Sequence, residues 1–379
     1  MNKKYLFVIF VLFFAIVFFA QKNNVLQPPQ NSPKREFEPY VEKNEPSAPE
    51  IPTISYDQIV DDISEQELKK DIEYLASDQL EGRMSGKKGN VLAAKFIREA
   101  FHNAGLETQE QKFMIRRMNP GPKNEQGDNF TTNVIGWLKG TDSKLKNEIV
   151  VIGAHMDHIG YGPSMSRSRI QKVHPGADDN ASGTVALIQM AKSFAKIKNP
   201  KRTIVFIAFS AEEMGLIGSR FYCDNPLFPE DQPDISKHIF MLNMDMVGYL
   251  GKAKYLVEFD DAGSSPDVRT YIENLREKYA FAKDITIRKT GGSDHASFYN
   301  KKVPIAFLHT GLHAHYHTPN DTADKINIEG LRKITQYAFE LSYKIVNSEV
   351  QPTFNYGSFT PMDYNHDHGH LHFETGAER

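Results

Sequence analysis

Ile149-Val150-Val151-Ile152-Gly153-Ala154-His155-Met156-Asp157 is a short apolar, β-branched run that ends on a histidine and an aspartate. Its composition and length predict a strand buried on both faces. Beyond a loop comes Gly176-Ala177-Asp178-Asp179-Asn180-Ala181-Ser182-Gly183, and from Gly183 to Lys196 the residues Val185, Leu187, Ile188, Ala191 and Phe194 recur at helical spacing. A strand, a loop carrying Asp179 and a helix start in that order place an imidazole and a carboxylate at one sheet edge. In open α/β sheets, sites form in the crevice outside the carboxyl ends of the strands.

Further strand-like runs occur at Thr131 to Leu138, Thr203 to Phe209, His238 to Met244 and Val303 to Leu308. Helical patterns lie between several of them, at 183–197, 212–222 and 266–280. A last amphipathic helix, 328–346, carries Leu331, Ile334, Ala338, Leu341 and Ile345. Toward the N-terminus, Ser64-Glu-Gln-Glu67 has the form of a capping box ahead of Leu68, Ile72 and Leu75, so folded structure is expected to begin near Ile63. Glu81 to Gly86 reads as a turn-rich loop, and Val91 to Ala104 as a helix stopped by Gly105. The alternation predicts an α/β fold: a mixed, largely parallel central sheet with helices on both faces.

Three further acidic or histidine-bearing clusters close predicted strands. They are Ser210-Ala211-Glu212-Glu213, Met244-Asp245-Met246 and Tyr316-His317-Thr318-Pro319-Asn320-Asp321-Thr322. The edge therefore offers His155, Asp179, Glu213, Asp245 and His317. Two histidines with three carboxylates suit a pair of divalent ions, zinc above all, provided one carboxylate bridges. Asp179, on the central loop, is the natural bridge. Adjacent Glu212 and Glu213 cannot both face the metals from a regular backbone, so one ligates and the other stands off as general base. Asp157 is placed to accept the second N–H of His155. Taken singly, a Glu-Glu pair is usually a solvated helix start, and Asp-Asp-Asn before a helix is usually an N-cap. An aspartate inside the apolar run 242–247 is more telling, because an unpaired buried carboxylate is costly.

Together with Gly292-Ser293-Asp294-His295 and, upstream, Leu75 to Asp78 and Glu81-Gly82-Arg83, these motifs closely resemble the co-catalytic di-zinc aminopeptidases, metallopeptidase family twenty-eight. The resemblance implies one zinc-exopeptidase domain of the phosphorylase/hydrolase-like fold, two zinc ions, and peptide substrates with a free N-terminus. It implies His155 and Asp245 on one ion, Glu213 and His317 on the other, and Asp179 shared. Glu212 would be the general base for a metal-bound hydroxide, Asp157 the orienter, and Tyr316 a hydrogen-bond donor to the developing oxyanion. Asp294 and His295 are expected to support the pocket. His309, His313 and His315 are expected to line it or to lie at the surface. The loop 159–173, with Ser164, Arg167, Ser168 and Arg169, separates two ligands and departs from the family pattern.

Composition sets outer bounds. The chain has 379 residues, a net charge of -3 and a single cysteine, Cys223. That leaves no basic surplus for nucleic acid, no intrachain disulfide and no thiolate metal cage. Lys3-Lys4 ahead of the apolar run 5–20 predict export, through a signal peptide or a retained membrane anchor, and an extracytoplasmic location. Residues 21–53 hold seven prolines and read as a linker. The peptidase domain is expected over 54–350. The tail 351–379, with four alternate histidines from His366 to His372, reads as a solvated tail or a metal-buffering tract. The expected activity is that of an aminopeptidase. The alternatives are a carboxypeptidase or dipeptidase on the same scaffold, a glutaminyl cyclase-like acyltransferase, and a non-enzymatic metal-binding surface protein.

Overall fold

The computed structural model describes residues 55–115, 130–251, 258–260, 264–279, 287–288 and 292–356, all inside one compact unit, Thr53–Arg379. The apolar run 5–20, the linker 21–53 and the histidine tract lie outside the described residues. No described helix is long and apolar enough to cross a membrane.

In chain order the elements are α1 (Tyr56–Asp61), α2 (Glu65–Leu75), α3 (Lys88–Asn103), β1 (Glu107–Met114), β2 (Phe130–Leu138), β3 (Ile149–His155), α4 (Gly183–Ala195), β4 (Thr203–Phe209), α5 (Ile217–Asp224), β5 (His238–Met244), β6 (Glu258–Asp260), α6 (Pro266–Lys278), β7 (Ile287–Arg288), α7 (His295–Asn300), β8 (Ile305–His309) and α8 (Ile328–Asn347). The strands form one sheet in the order β1-β2-β4-β3-β5-β8-β6-β7. Its centre, β4-β3-β5-β8, is parallel; β1 and β2 run antiparallel to their neighbours, and β6 is antiparallel to β8 but parallel to β7.

Burial on both faces explains the apolar central strands. β3, β4 and β5 are buried at every position. Their alternate side chains divide between two cores: Val150, Ile152, Ile204, Phe206, Phe240 and Leu242 face one, with α2, α3, α4 and α8. Val151, Val205, Ile207 and Met241 face the other, with Tyr222 on α5 and Phe298 on α7. This two-sided covering is why the strands lack hydrophobic-polar alternation.

Several boundaries differ from the sequence expectation; α3 begins at Lys88 rather than Val91, and β8 spans Ile305–His309 rather than 303–308. Ordered structure starts earlier, with α1 capped by the Ser55 hydroxyl. Residues 78–83, expected as loop, form a distorted 3-10 turn. α5 starts at Ile217 rather than near 212, because Ala211 and Leu216 adopt φ of 61° and 57° and hold 212–216 out of the helix. Of the expected capping box only the N-cap half forms: Ser64 Oγ accepts from the Glu67 N–H at 3.2 Å, while the Glu67 carboxylate accepts from Gln189 and Lys192 instead.

Candidate metal centre

Because β3, β4, β5 and β8 are parallel, their carboxyl ends point the same way, and each delivers its cluster to one place. His155 ends β3, Glu212 and Glu213 follow β4, Asp245 follows β5, and the loop after β8 carries His317. All five predicted ligands come together there, each less than a tenth exposed.

They form two groups that share Asp179: His155, Asp179 and Asp245, and His158, Asp179, Glu213 and His317, with the candidate ligand atoms of each group within 4.8 Å of one another. His155 Nε2 lies 3.4 Å from Asp179 Oδ1 and 3.3 Å from Asp245 Oδ1. His317 Nε2 lies 2.9 Å from the other Asp179 oxygen and 3.1 Å from Glu213 Oε2. Asp179 thus turns one oxygen to each group. His158 was not singled out in sequence as a site residue. Its Nδ1 is 2.8 Å from Glu213 Oε1 and 3.6 Å from Asp179 Oδ2. The only sequence signal for it was adjacency to His155-x-Asp157.

The groups fit a bound cation. His155 Nε2 and Asp245 Oδ1 are buried, face each other, and make no hydrogen bond. Two such atoms are costly to bury unless a cation occupies the point on which they converge. The same electrostatics appear in proton affinities. Burial disfavours the His155 imidazolium, yet the Asp245 and Glu212 carboxylates carry its pKa well above the ordinary imidazole value. Burial likewise opposes ionisation of Asp245, but His155 draws its carboxyl down to about 2. An oxygen- and nitrogen-rich set without thiolate suits zinc.

The backbone that presents Asp179 is fastened from several sides. Asp321 Oδ2 accepts the Asp178 and Asp179 N–H groups at 3.1 Å each. Asn180 donates to Met244 O at 3.0 Å and accepts from Gly183 and Met246. Gly176 has φ of 56°, and a Cβ there would stand 2.1 Å from Asp179 O, so only glycine fits. Arg83, 1% exposed, donates to the carbonyls of Leu75, Met156, Pro175 and Gly176 at 2.6–2.9 Å, tying the end of the His155 strand to the start of the Asp179 loop.

Glu212 is buried beside Glu213. Burial, with repulsion from Glu213, Asp245 and Asp294 and despite attraction to His155, lifts its carboxyl well above the usual range. The Asp157 carboxylate accepts the Glu212 N–H at 3.2 Å and the Ser85 hydroxyl at 3.0 Å. It lies 3.7 Å from His155 Nδ1, whose closer acceptor is the Asp157 main-chain oxygen at 3.2 Å. Asp157 therefore bears on the Glu212 loop through its side chain and on His155 chiefly through its backbone.

Tyr316 stacks on His317 with centroids 3.9 Å apart. Burial first, and the carboxylates of Asp179, Glu213, Glu212 and Asp245 after it, push the phenol pKa well up, so the hydroxyl keeps its proton and remains a donor. Asp294 is buried behind the site, pushed up to about 7 by burial, with His155 opposing and Asp157 and Asp245 adding. His295 stacks on Phe307 at 4.2 Å. His313 is not idle lining: it contacts Asp178 Oδ2 at 3.0 Å and stacks on Tyr249 at 3.8 Å. His309 Nδ1 accepts from Gly311 N–H, and His315 is half-buried. The loop 159–173 touches the site. Met165 O accepts from His317 Nδ1 at 3.2 Å, the Arg167 N–H donates to His317 O at 3.0 Å, and the Arg167 guanidinium lies 4.6 Å from the Tyr316 ring centre.

The model of peptidase family M28 matches residues 133–342. The chain is 30% identical over 227 residues to aminopeptidase YwaD of Bacillus subtilis, an overlap covering 58% of this chain and 46% of that one. The chain spans about half the length of the curated relatives it matches. Among solved structures it shares its fold with a zinc aminopeptidase from Bacillus subtilis (TM-score 0.62, 20% identity, 76% of this chain and 96% of that one). It shares it also with Porphyromonas gingivalis glutaminyl cyclase (TM-score 0.57, 17% identity, 73% of this chain and 97% of that one).

Proposed function

The chain belongs to peptidase family M28, and from that premise we propose that it is an exported di-zinc aminopeptidase that hydrolyses N-terminal residues from peptides. The observation that carries the reading is the pair of buried ligand groups meeting at Asp179, with Glu212 next to one of them. His155 and Asp245 would hold one zinc ion, Glu213 and His317 the other, and Asp179 both. When bound, the ions supply Lewis acidity and ease the deprotonation of water.

The chain's own groups do the rest. Glu212, buried beside Glu213, takes a proton from the attacking water and delivers it to the leaving amine. Asp157 and Ser85 hold the Glu212 loop in place. The Tyr316 hydroxyl donates to the carbonyl oxygen as negative charge grows there. His158 donates to Glu213 and fixes its orientation. The carboxylates of Asp245 and Glu212 favour a cationic α-amine at their end of the site. Export rests on Lys3-Lys4 and the apolar run 5–20.

The test is hydrolysis of free and N-acetylated dipeptides and aminoacyl anilides, by the parent and by Glu212→Gln, with zinc measured on both. Free-amine substrates alone should be cut, at a rate at least about a thousandfold lower in Glu212→Gln, which should retain its zinc. Cleavage of acetylated substrates overturns the aminopeptidase reading. Cyclisation of N-terminal glutamine in place of hydrolysis transfers the chain to the cyclase class.

A further inference from the structure

The segment 159–173 contains Arg167, Arg169 and Lys172 and no acidic residue. It is fastened to the candidate centre rather than draped over it. Met165 O and the Arg167 N–H bond to the side chain and carbonyl of His317, at 3.2 and 3.0 Å, and the Ser166 hydroxyl reaches the same carbonyl. This anchoring holds the exposed Arg167 guanidinium 4.6 Å from the centre of the Tyr316 ring, which also stacks on the His317 imidazole at 3.9 Å. A guanidinium lying on an aromatic face keeps its edge N–H donors free for an anion. Among the described residues Arg167 enters no ion pair, although the Asp179 and Glu213 carboxylates contact His317, the ring stacked on Tyr316.

The site is therefore polarised. Carboxylates lie at both groups, Asp245 and Glu212 by His155 and Glu213 by His317, but on the outer, Tyr316 side the anchored Arg167 adds a cation. A short peptide in its zwitterionic form has the same polarity. One residue of extended chain spans about 3.5 Å, so a dipeptide's carboxylate stays within a residue's length of the reacting bond, and the exposed Arg167 side chain beside Tyr316 can turn toward it.

We propose that Arg167 is a specificity-determining residue that binds a substrate carboxylate just after the scissile bond. The favoured substrates are accordingly dipeptides, through their C-terminal carboxylate, or peptides with an acidic second residue. The proposal rests on the aminopeptidase reading above and deepens it by naming the substrate class.

The experiment compares kcat/KM of the full chain, zinc-loaded, on Leu-Ala against Leu-Ala-amide, and on Leu-Asp-amide against Leu-Asn-amide, in the parent, Arg167→Met and Arg167→Glu. A charge-assisted hydrogen bond at a partly exposed site predicts a preference of roughly tenfold for the carboxylate member in the parent, mostly in KM. The ratio should fall to about one in Arg167→Met, go below one in Arg167→Glu, and shrink with added salt in the parent alone. A preference confined to the first pair identifies the C-terminal carboxylate, and one confined to the second identifies the side chain. Two results overturn the proposal: a parent ratio near one in both pairs, or a ratio that survives Arg167→Met while both rates fall together, as loss of mere stacking on Tyr316 would produce. Leucine anilide, which carries no carboxylate, separates the two readings. If it is cut while the ratios stay unresponsive, only the Arg167 assignment fails. If neither it nor any dipeptide is cut, the aminopeptidase reading fails with it.

Discussion

The two ends of the same parallel strands bury polar groups to opposite effect. At the amino ends, Arg202 and His238 each close on more than one partner, although Arg202 Nη2 is left without a hydrogen bond. Arg202, just before β4, donates to Glu148 at 2.7 Å and to the carbonyls of Ile345 and Ser348. His238, the first residue of β5, bonds the Tyr222 hydroxyl at 2.9 Å and the Asp234 carbonyl at 3.2 Å. At the carboxyl ends, His155 and Asp245 turn atoms toward a shared point and leave them unbonded. Positive φ occurs at both ends: Ala211, Met246 and His317, beside the candidate centre, have φ of 61°, 55° and 54°, and Asn199 and Lys302, ahead of β4 and β8, have 59° and 64°. Such conformations persist only where surrounding structure imposes them, and here they do not separate the two ends. Burial alone therefore does not mark function; burial with convergence does.

The largest expected effect tests that distinction at its centre. Asp179→Asn removes the carboxylate common to both groups, so both zinc sites should empty together and activity should fall by at least about a thousandfold. Metal analysis and anilide hydrolysis check this. In chelator the melting temperature of the variant should match or exceed the parent's, because mutually repelling carboxylates are fewer. A large loss of metal-free stability would mean that the carboxyl end is built for folding after all.

At the amino end the balance should reverse. Arg202→Met strands Glu148 and two carbonyls, at a cost of about 3 kcal/mol in urea unfolding. Zinc content and kcat per folded molecule should stay at the parent value. A drop in kcat without a drop in stability would erase the distinction between the ends.

This division also explains what could be read in the sequence. The apolar runs of β3, β4, β5 and β8 announce themselves because both faces are buried, and each chemical motif sits next to one of them. β1, Glu107–Met114, is legible only in hindsight: it is a sheet-edge strand of polar residues whose pairing with β2 is a tertiary fact. His158 escaped because no spacing rule distinguishes it from its neighbours; only the fold brings it to Glu213. The reach of Arg167 was equally hidden. Its loop has no periodicity, and its position is set by bonds to His317, 150 residues later.

A smaller effect follows from His238. Burial lowers its pKa from 6.5 to about 4, with hydrogen bonding to Asp234 and Ile235 opposing. The unfolded chain therefore takes up a proton between about pH 6.5 and 4 that the folded chain refuses. The associated stability is present above pH 6.5 and lost as pH falls toward 4, by at most about 3 kcal/mol. In chelator, to keep metal release out of the comparison, His238→Gln should show a shallower decline in urea midpoint between pH 7 and 4.5 than the parent. Parallel declines would refute the buried neutral imidazole.

The smallest effect is the sharpest probe, because it sets one hydroxyl at each end against the other. Ser85 Oγ accepts the Ala211 N–H at 2.8 Å, donates to Asp157 Oδ2 at 3.0 Å and meets Ser210 Oγ at 2.9 Å. It thereby restrains the residue with positive φ just before Glu212. Thr203 Oγ1, at the start of β4, likewise makes two hydrogen bonds, accepting from Gly140 at 3.0 Å and donating to Lys146 O at 2.7 Å. Ser85→Ala and Thr203→Val should each cost about 1 kcal/mol of stability. Only Ser85→Ala should lower kcat, by roughly tenfold, with KM and zinc content held, since it loosens the loop of the proposed base Glu212 without touching substrate. Equal kcat in the two variants would reduce Ser85 to a packing hydroxyl. Unequal kcat at equal stability would show that the carboxyl end converts the same bond into catalytic alignment.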